Sequence, residues 1–375
     1  MQPQYYFRPD RPHRRRLATW LVVLLAAHCS AHARPSAADL PPEKVAAIDA
    51  KINAFMAKSH APGMSLAVVI DGAIVYDRGY GLADVENNVP ATAETIYRLA
   101  SISKMLTGVA AMQLVEQGKL DLAAPIQKYV PDFPEKQAPI TAEHLLKHQS
   151  GIRHYKGDET KSVKHYRGVK DALVIFRDEP LLFAPGEKFS YTTYGYNLLG
   201  AAVESAAGQP YAKYVQAKIA APAGMTSLQP DDAHKIIPHR AAGYRLEGTA
   251  AVSVLVNDDM VDVSNKVPGG GWCSTAGDLG RFAIALVDGK LVSPGTLERM
   301  WTPQATASGE STRSGLGCFV EEVNGERQVA HSGGQPKVST YLLIIPSRRA
   351  AVAMMCNLSG HPLKPLAGEV AELLR

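Results

Sequence analysis

The chain has 375 residues, 46% hydrophobic and 20% charged, which is ordinary globular composition for one large domain or two closely packed lobes. Its formal charge of +4 comes from its first stretch: residues 1–33 hold five of the 40 basic residues and one of the 36 acidic ones, and the remainder is formally neutral. The overall +4 is therefore no argument for nucleic acid or an anionic membrane, and no nucleic-acid role is expected.

The first stretch reads as an export signal. Arg8, Arg11, Arg14, Arg15 and Arg16 form a basic head, residues 17–27 are an apolar run, and Ala31-His32-Ala33 offers a small-x-small cleavage site. As a helix the run is about 16 Å long against roughly 30 Å of hydrocarbon, too short to span. A mitochondrial presequence is also Arg-rich and acid-poor, but it is amphipathic rather than solidly apolar. His28 does not suit lipidation at Cys29. Residues 34–375 are thus expected to be the mature protein, periplasmic or secreted, with no stable membrane anchor. Cys273, Cys318 and Cys356 remain, an odd set that is no disulfide framework. Cys318 and Cys356 sit in strand-like runs and could pair, but buried free thiols are the expected state.

Residues 42–60 carry Val45, Ile48, Ile52 and Phe55 at helical spacing. Runs 64–70 and 73–78 read as strands joined by Asp71-Gly72, a hairpin signal. A helix from Ser101 is expected to reach about Gln117 and stop at Gly118. The middle is helix-rich: Thr141 caps a short helix through His148, and 170–177, 194–207 and 211–221 read as helices. They are broken at Pro185-Gly186, Gly208-Gln209-Pro210 and Pro222-Ala223-Gly224. After Pro268-Gly269-Gly270-Gly271 comes a helix over 278–287, with Asp278 as its cap. Strands follow at 315–323, 328–331, 339–345 and 350–356, and a helix at 365–374 closes the chain. Strands at both ends and helices between predict an α/β fold: a sheet lobe from about 34–98 and 268–375, a helical lobe inserted over about 99–267, and a cleft between them.

The chemistry centres on Ser101-Ile102-Ser103-Lys104. Three residues apart on a helix, Ser101 and Lys104 share one face. A serine hydroxyl is a weak nucleophile and needs a neighbour to take its proton. A lysine does this only where burial or other cations discourage its ammonium. The helix N-terminus adds free N–H groups for an oxyanion. His144 and His148 are spaced i, i+4, but Leu145 stands where a zinc protease has its glutamate, so no metal is expected there. Asn357-Leu358-Ser359 matches a glycosylation sequon, to which no function is attached.

Two later stretches complete a pattern: Tyr191-Thr192-Thr193 before a helix, and His331-Ser332-Gly333-Gly334 between strand runs. With Ser-Ile-Ser-Lys they resemble the three signatures of serine β-lactamases and penicillin-binding proteins, in the class C-like branch where tyrosine partners the lysine. The resemblance is nearest to the mitochondrial serine β-lactamase-like group and its bacterial relatives. It is also carried by residues 148–155, 183–186, 269–275 and 278–279 and spans nearly the whole mature chain.

The resemblance implies a β-lactamase/transpeptidase-like fold, a mostly antiparallel sheet flanked by helices, and no cofactor. It implies that Ser101 attacks a carbonyl to give an acyl-enzyme. Lys104 is a base, or a cation holding Tyr191 as phenolate, and Tyr191 returns the proton to the leaving group. The N–H groups of Ser101 and Gly334 form the oxyanion hole, with Thr193, His331, Ser332 and Gly333 facing the substrate. Two positions depart from the pattern: Thr193 where asparagine is usual, and His331 where lysine is usual. A histidine partly charged at neutral pH is expected to hold a substrate carboxylate weakly and pH-dependently. The expected activity is hydrolysis of an amide or ester, most of all a peptide. Alternatives are β-lactamase or D-Ala peptidase activity, and a non-catalytic binding or self-assembling protein that keeps the pocket. Homo-oligomerisation is expected because mitochondrial-type relatives assemble.

Overall fold

The Asp71-Gly72 hairpin forms in the computed structural model, which describes residues 40–249 and 252–375; the expected leader, with Cys29, lies outside the described residues. Asp71 (φ 51°) and Gly72 (φ 77°) are both left-handed, as a type I′ turn requires. They join strand Gly63–Ile70 to strand Ala73–Asp84, which runs past the expected end at Arg78. The hairpin lies beside the penultimate element of the chain, with Met64 opposite Cys356 and Val68 opposite Val352. Seven antiparallel strands result, in the order Val89–Pro90, Ala73–Asp84, Gly63–Ile70, Ala350–Cys356, Val338–Ile345, Glu326–Gln335 and Phe319–Val323.

Central strands are buried on both faces, which is why their sequences are continuous apolar runs rather than alternations. Met64, Leu66, Val68, Val352 and Met354 pack under the terminal helices Pro42–Ser59, through Ile48 and Ile52, and Lys364–Leu373, through Leu366 and Val370. Ala67, Val69, Ala351, Ala353 and Met355 face the larger core, with Leu279 and Phe282 of helix Ala276–Val287 and the apolar side of helix Ser103–Glu116. Ser103 to Leu114 are all buried, so this helix has no solvent face. Among the described residues no helix is long and apolar enough to cross a membrane.

Several expectations change. The helix expected from Ser101 is two pieces, a 3-10 turn Ala100–Ile102 and then Ser103–Glu116. Residues 170–177 give only a 3-10 turn at Asp171–Ile175. Residues 211–221 give Tyr211–Val215, a π turn Gln216–Ala220 and a last turn Ala221–Ala223. Strand Phe319–Val323 starts four residues later than expected, because residues 315–318 turn: the Gly315 N–H donates to the Cys318 carbonyl and the Leu316 N–H to the Met300 carbonyl, each at 2.9 Å. The half-exposed hairpin of Tyr244–Gly248 and Ser253–Asn257 was not among the expected elements, although Val254, Leu255 and Val256 form an apolar run. Cys273, Cys318 and Cys356 are buried and free. Asp278 is not the cap of its helix: Thr275 Oγ1 accepts from the Asp278 N–H at 3.1 Å. The Asp278 carboxylate instead accepts from Ser227 N–H and Ser274 Oγ at 2.8 and 2.7 Å. Asn357 is a buried strut whose amide spans Gly63, Leu82 and Ala83.

Candidate active site

Ser101 sits in the 3-10 turn that enters helix Ser103–Glu116, and the turn is held from two sides. The Leu99 N–H donates to the Trp272 carbonyl at 2.7 Å, and Thr340 Oγ1 donates to the Leu99 carbonyl at 3.0 Å. Ala100, just before the serine, has φ 47°, a left-handed backbone that a residue with a Cβ adopts at a cost of about 1–2 kcal/mol.

Lys104 reaches back along the same face, with Nζ 3.1 Å from Ser101 Oγ, 3.2 Å from Thr193 Oγ1 and 2.6 Å from the Gly269 carbonyl. It is fully buried, and its pKa falls well below that of a free lysine, first through burial and then through the charge of Lys266. Both conditions for a neutral amine are met. The Gly269 contact depends on close helix packing: a Cβ at Gly269 would lie 2.5 Å from Thr193 Cγ2.

Tyr191 precedes helix Thr193–Ala207. Burial pushes its phenol pKa up, and a hydrogen bond with Ser101 opposes that rise. Lys104 Nζ lies 4.8 Å from the centre of the Tyr191 ring. Burial thus disfavours both the lysine cation and the tyrosine phenolate. The His148 ring lies 4.5 Å from Tyr191 and 4.8 Å from Tyr196, and His148 Nδ1 accepts the Thr192 N–H at 3.1 Å. His154 Nδ1 accepts the Thr193 N–H at 3.2 Å. Both imidazoles must be neutral to accept, and burial lowers both pKa values, that of His154 to about 4.

Ser101 opens into a cavity of about 150 Å³ whose lining includes Tyr191, Thr193, Gly334, Lys266 and Gln335. A Cβ at Gly334 would meet nothing within 4 Å, so its backbone faces open space. His331, Ser332 and Gly333 do not line this cavity. Strand alternation turns His331 and Gly333 inward, and a Cβ at Gly333 would fall 2.4 Å from the Leu99 carbonyl. Ser332 opens with His331 onto a separate hollow. The expectation of a partly charged His331 is corrected: burial and then the neighbouring Lys104 lower its pKa to about 3. It packs beside Tyr191 at 6.2 Å between ring centres as a neutral imidazole. His144 Nδ1 accepts the Thr141 N–H at 3.3 Å in a helix capping box.

Sequence reading missed Lys266 and Gln335. Gln335 extends the His331 stretch by one residue and could have been included on that ground; no motif marks Lys266.

The profile of the Beta-lactamase family matches residues 48–374. "Serine beta-lactamase-like protein LACTB, mitochondrial" of Homo sapiens is 30% identical, over 96% of this chain and 84% of its own. Protein flp of Staphylococcus aureus is 26% identical over 84% of this chain and 63% of its own length. Among solved structures, the octameric penicillin-binding protein homologue from Pyrococcus abyssi is similar at TM-score 0.77 and 30% identity, covering 88% of this chain and 77% of that one. The D-amino acid amidase from Ochrobactrum anthropi complexed with L-phenylalanine amide is similar at TM-score 0.74 and 25% identity, covering 88% and 96%.

Proposed function

This chain belongs to the Beta-lactamase family, and from that premise we propose that it is a serine hydrolase that opens a peptide, or a related amide or ester, through an acyl-Ser101 intermediate. One observation carries the reading: a buried amine with a strongly lowered pKa, 3.1 Å from the serine hydroxyl. Neutral Lys104 donates its N–H groups to the Gly269 carbonyl and Thr193, which leaves its lone pair for the Ser101 proton. Ser101 Oγ then bonds to the substrate carbonyl carbon, and the oxyanion is received by the N–H groups of Ser101 and Gly334. Such a donor typically contributes about 3 kcal/mol to transition-state stabilisation. Tyr191, protonated at rest, gives its proton to the leaving group and regains one from the Lys104 ammonium. Water then attacks the ester by the same steps in reverse.

The amidase neighbour supports an amide substrate. Thr193 and the neutral His331 weigh against β-lactam turnover as the main activity. The basic and apolar pattern of residues 8–27 supports export to the periplasm or beyond, and N-terminal sequencing of the mature protein at Arg34 tests it. The experiment for the activity is turnover of a panel of peptide anilides and esters by the wild type and by Ser101→Ala. Hydrolysis that disappears in a folded Ser101→Ala protein is expected; a variant as active as the wild type removes the proposal.

A further inference from the structure

Two histidines and an aspartate from three separate stretches of the chain converge outside the Ser101 cavity. His165, His234 and Asp262 each bring one donor atom within 4.8 Å of the other two. Asp262 is 5% exposed, and among the described residues no lysine or arginine pairs with it. Its Oδ1 accepts the Ser264 N–H at 2.8 Å, and its Oδ2 lies 2.8 Å from His165 Nδ1. A buried carboxylate is costly without a lasting counter-charge. The His234 ring stacks beside that of His165, 4.5 Å between centres, and both histidines are exposed. One side of the group is thus buried and fixed, and the other is open to an ion from solvent.

Two imidazoles and a carboxylate are donors that Zn²⁺ favours, whereas Mg²⁺ and Ca²⁺ take oxygen. Tetrahedral bonds of about 2.1 Å set ligand atoms roughly 3.4 Å apart. The observed spread brackets that value: the His165–Asp262 pair opens slightly from its hydrogen bond, and the exposed His234 side chain swings inward. We propose that these three residues bind a zinc-class ion, with water in the remaining position, and that the ion fastens two surface segments together beside the catalytic cavity. Segment 162–166 is already tied to the aspartate's stretch, since the Asp262 N–H donates to the Ser162 carbonyl at 2.9 Å and Ser264 Oγ accepts the Tyr166 N–H at 2.8 Å. Among the described residues no hydrogen bond or ion pair joins 162–166 to 232–236, the segment that carries His234. The ion supplies that tie. Thr160 and Lys266, which flank these stretches, line the Ser101 cavity, so the ion steadies one wall of it and takes no part in acyl transfer.

This inference stands apart from the hydrolase reading, because isothermal titration of the untagged protein with zinc chloride reads binding without turnover. His165→Ala and His234→Ala alter exposed side chains, and each is expected to weaken zinc binding about tenfold or more. Asp262→Asn is expected to do the same; if this buried change prevents folding, the two histidine variants carry the test. Saturating zinc is expected to raise the melting temperature of the wild type and of none of the variants. It is also expected to slow amide hydrogen exchange over residues 160–166 and 232–236. Absence of zinc binding, binding unchanged in both histidine variants, or Mg²⁺ bound as tightly as Zn²⁺ overturns the site. Exchange that zinc leaves unaltered in both segments overturns the fastening role.

Discussion

Lys104 is unusual for a lysine in having burial and a second cation against its charge and no carboxylate to offset them. Its spacing from Ser101 was readable, because i, i+3 on any helix brings two side chains to one face. Its protonation was not, since that depends on Lys266, 162 residues away in the chain and marked by no motif. His331 makes the same point in reverse: its position was readable, but packing beside Tyr191 and Phe319 removes the charge that its residue type suggests. Ala100 was also silent, its left-handed backbone being imposed by the Trp272 and Thr340 contacts on Leu99. Thr193 donates no charge, but its oxygen orients the amine. Thr193→Val keeps shape and loses that contact, and a neutral hydrogen bond contributes about 0.5–1.5 kcal/mol net. A roughly three- to tenfold lower kcat/KM with an unchanged melting temperature is the expected outcome. Unchanged kinetics would mean that Thr193 does not orient Lys104.

At the scale of elements, the strand Glu326–Gln335 separates two glycines that look alike in sequence. A Cβ at Gly333 would stand 2.1 Å from Thr340 Oγ1 and 2.4 Å from the Leu99 carbonyl. Gly333→Ala must push the strand away from the nucleophile turn, and overpacking of that kind costs about 1–3 kcal/mol. Thermal melting and turnover are both expected to fall. Gly334→Ala meets nothing within 4 Å, so the fold is expected to keep its melting temperature while a methyl group beside the oxyanion position slows turnover. Equal melting temperatures in the two variants would contradict this account of the strand. The long elements were legible because their periodicity and stops are local: 42–60 appears as Pro42–Ser59, 350–356 as Ala350–Cys356, and the helix after the nucleophile ends before Gly118 with φ 65°. The 3-10 and π turns were not legible, since their hydrogen-bond spacing is chosen by the packing around them. Asp278 shows the limit of capping arguments: a buried aspartate at the third helical position was mistaken for the cap that Thr275 provides.

For the molecule as a whole, the first hairpin and the last strands meet in one sheet, so stability rests on contacts between the two ends of the chain. One such contact carries a pH signature. Asp77, on strand Ala73–Asp84, faces helix Ala276–Val287, and burial raises its carboxyl to about 6, with Arg281 opposing and Asp278 adding to the rise. The folded protein holds this proton more tightly than the unfolded chain, so stability is full below the ordinary carboxyl pKa near 4 and declines as pH rises through about 6. Asp77→Asn is expected to stabilise at pH 7 by on the order of 1–2 kcal/mol, allowing for solvent screening of a partly exposed group. At pH 4 it is expected to change the melting temperature little. A variant destabilised at pH 7 would contradict this. The central claim is that Ser101, activated by Lys104, forms a covalent acyl-type adduct, and intact mass with peptide mapping after fluorophosphonate treatment tests it most directly. The account predicts one adduct, on Ser101, absent from Ser101→Ala and formed far more slowly in Lys104→Met. A folded wild-type protein that stays unlabelled, or that carries its adduct elsewhere, would contradict it.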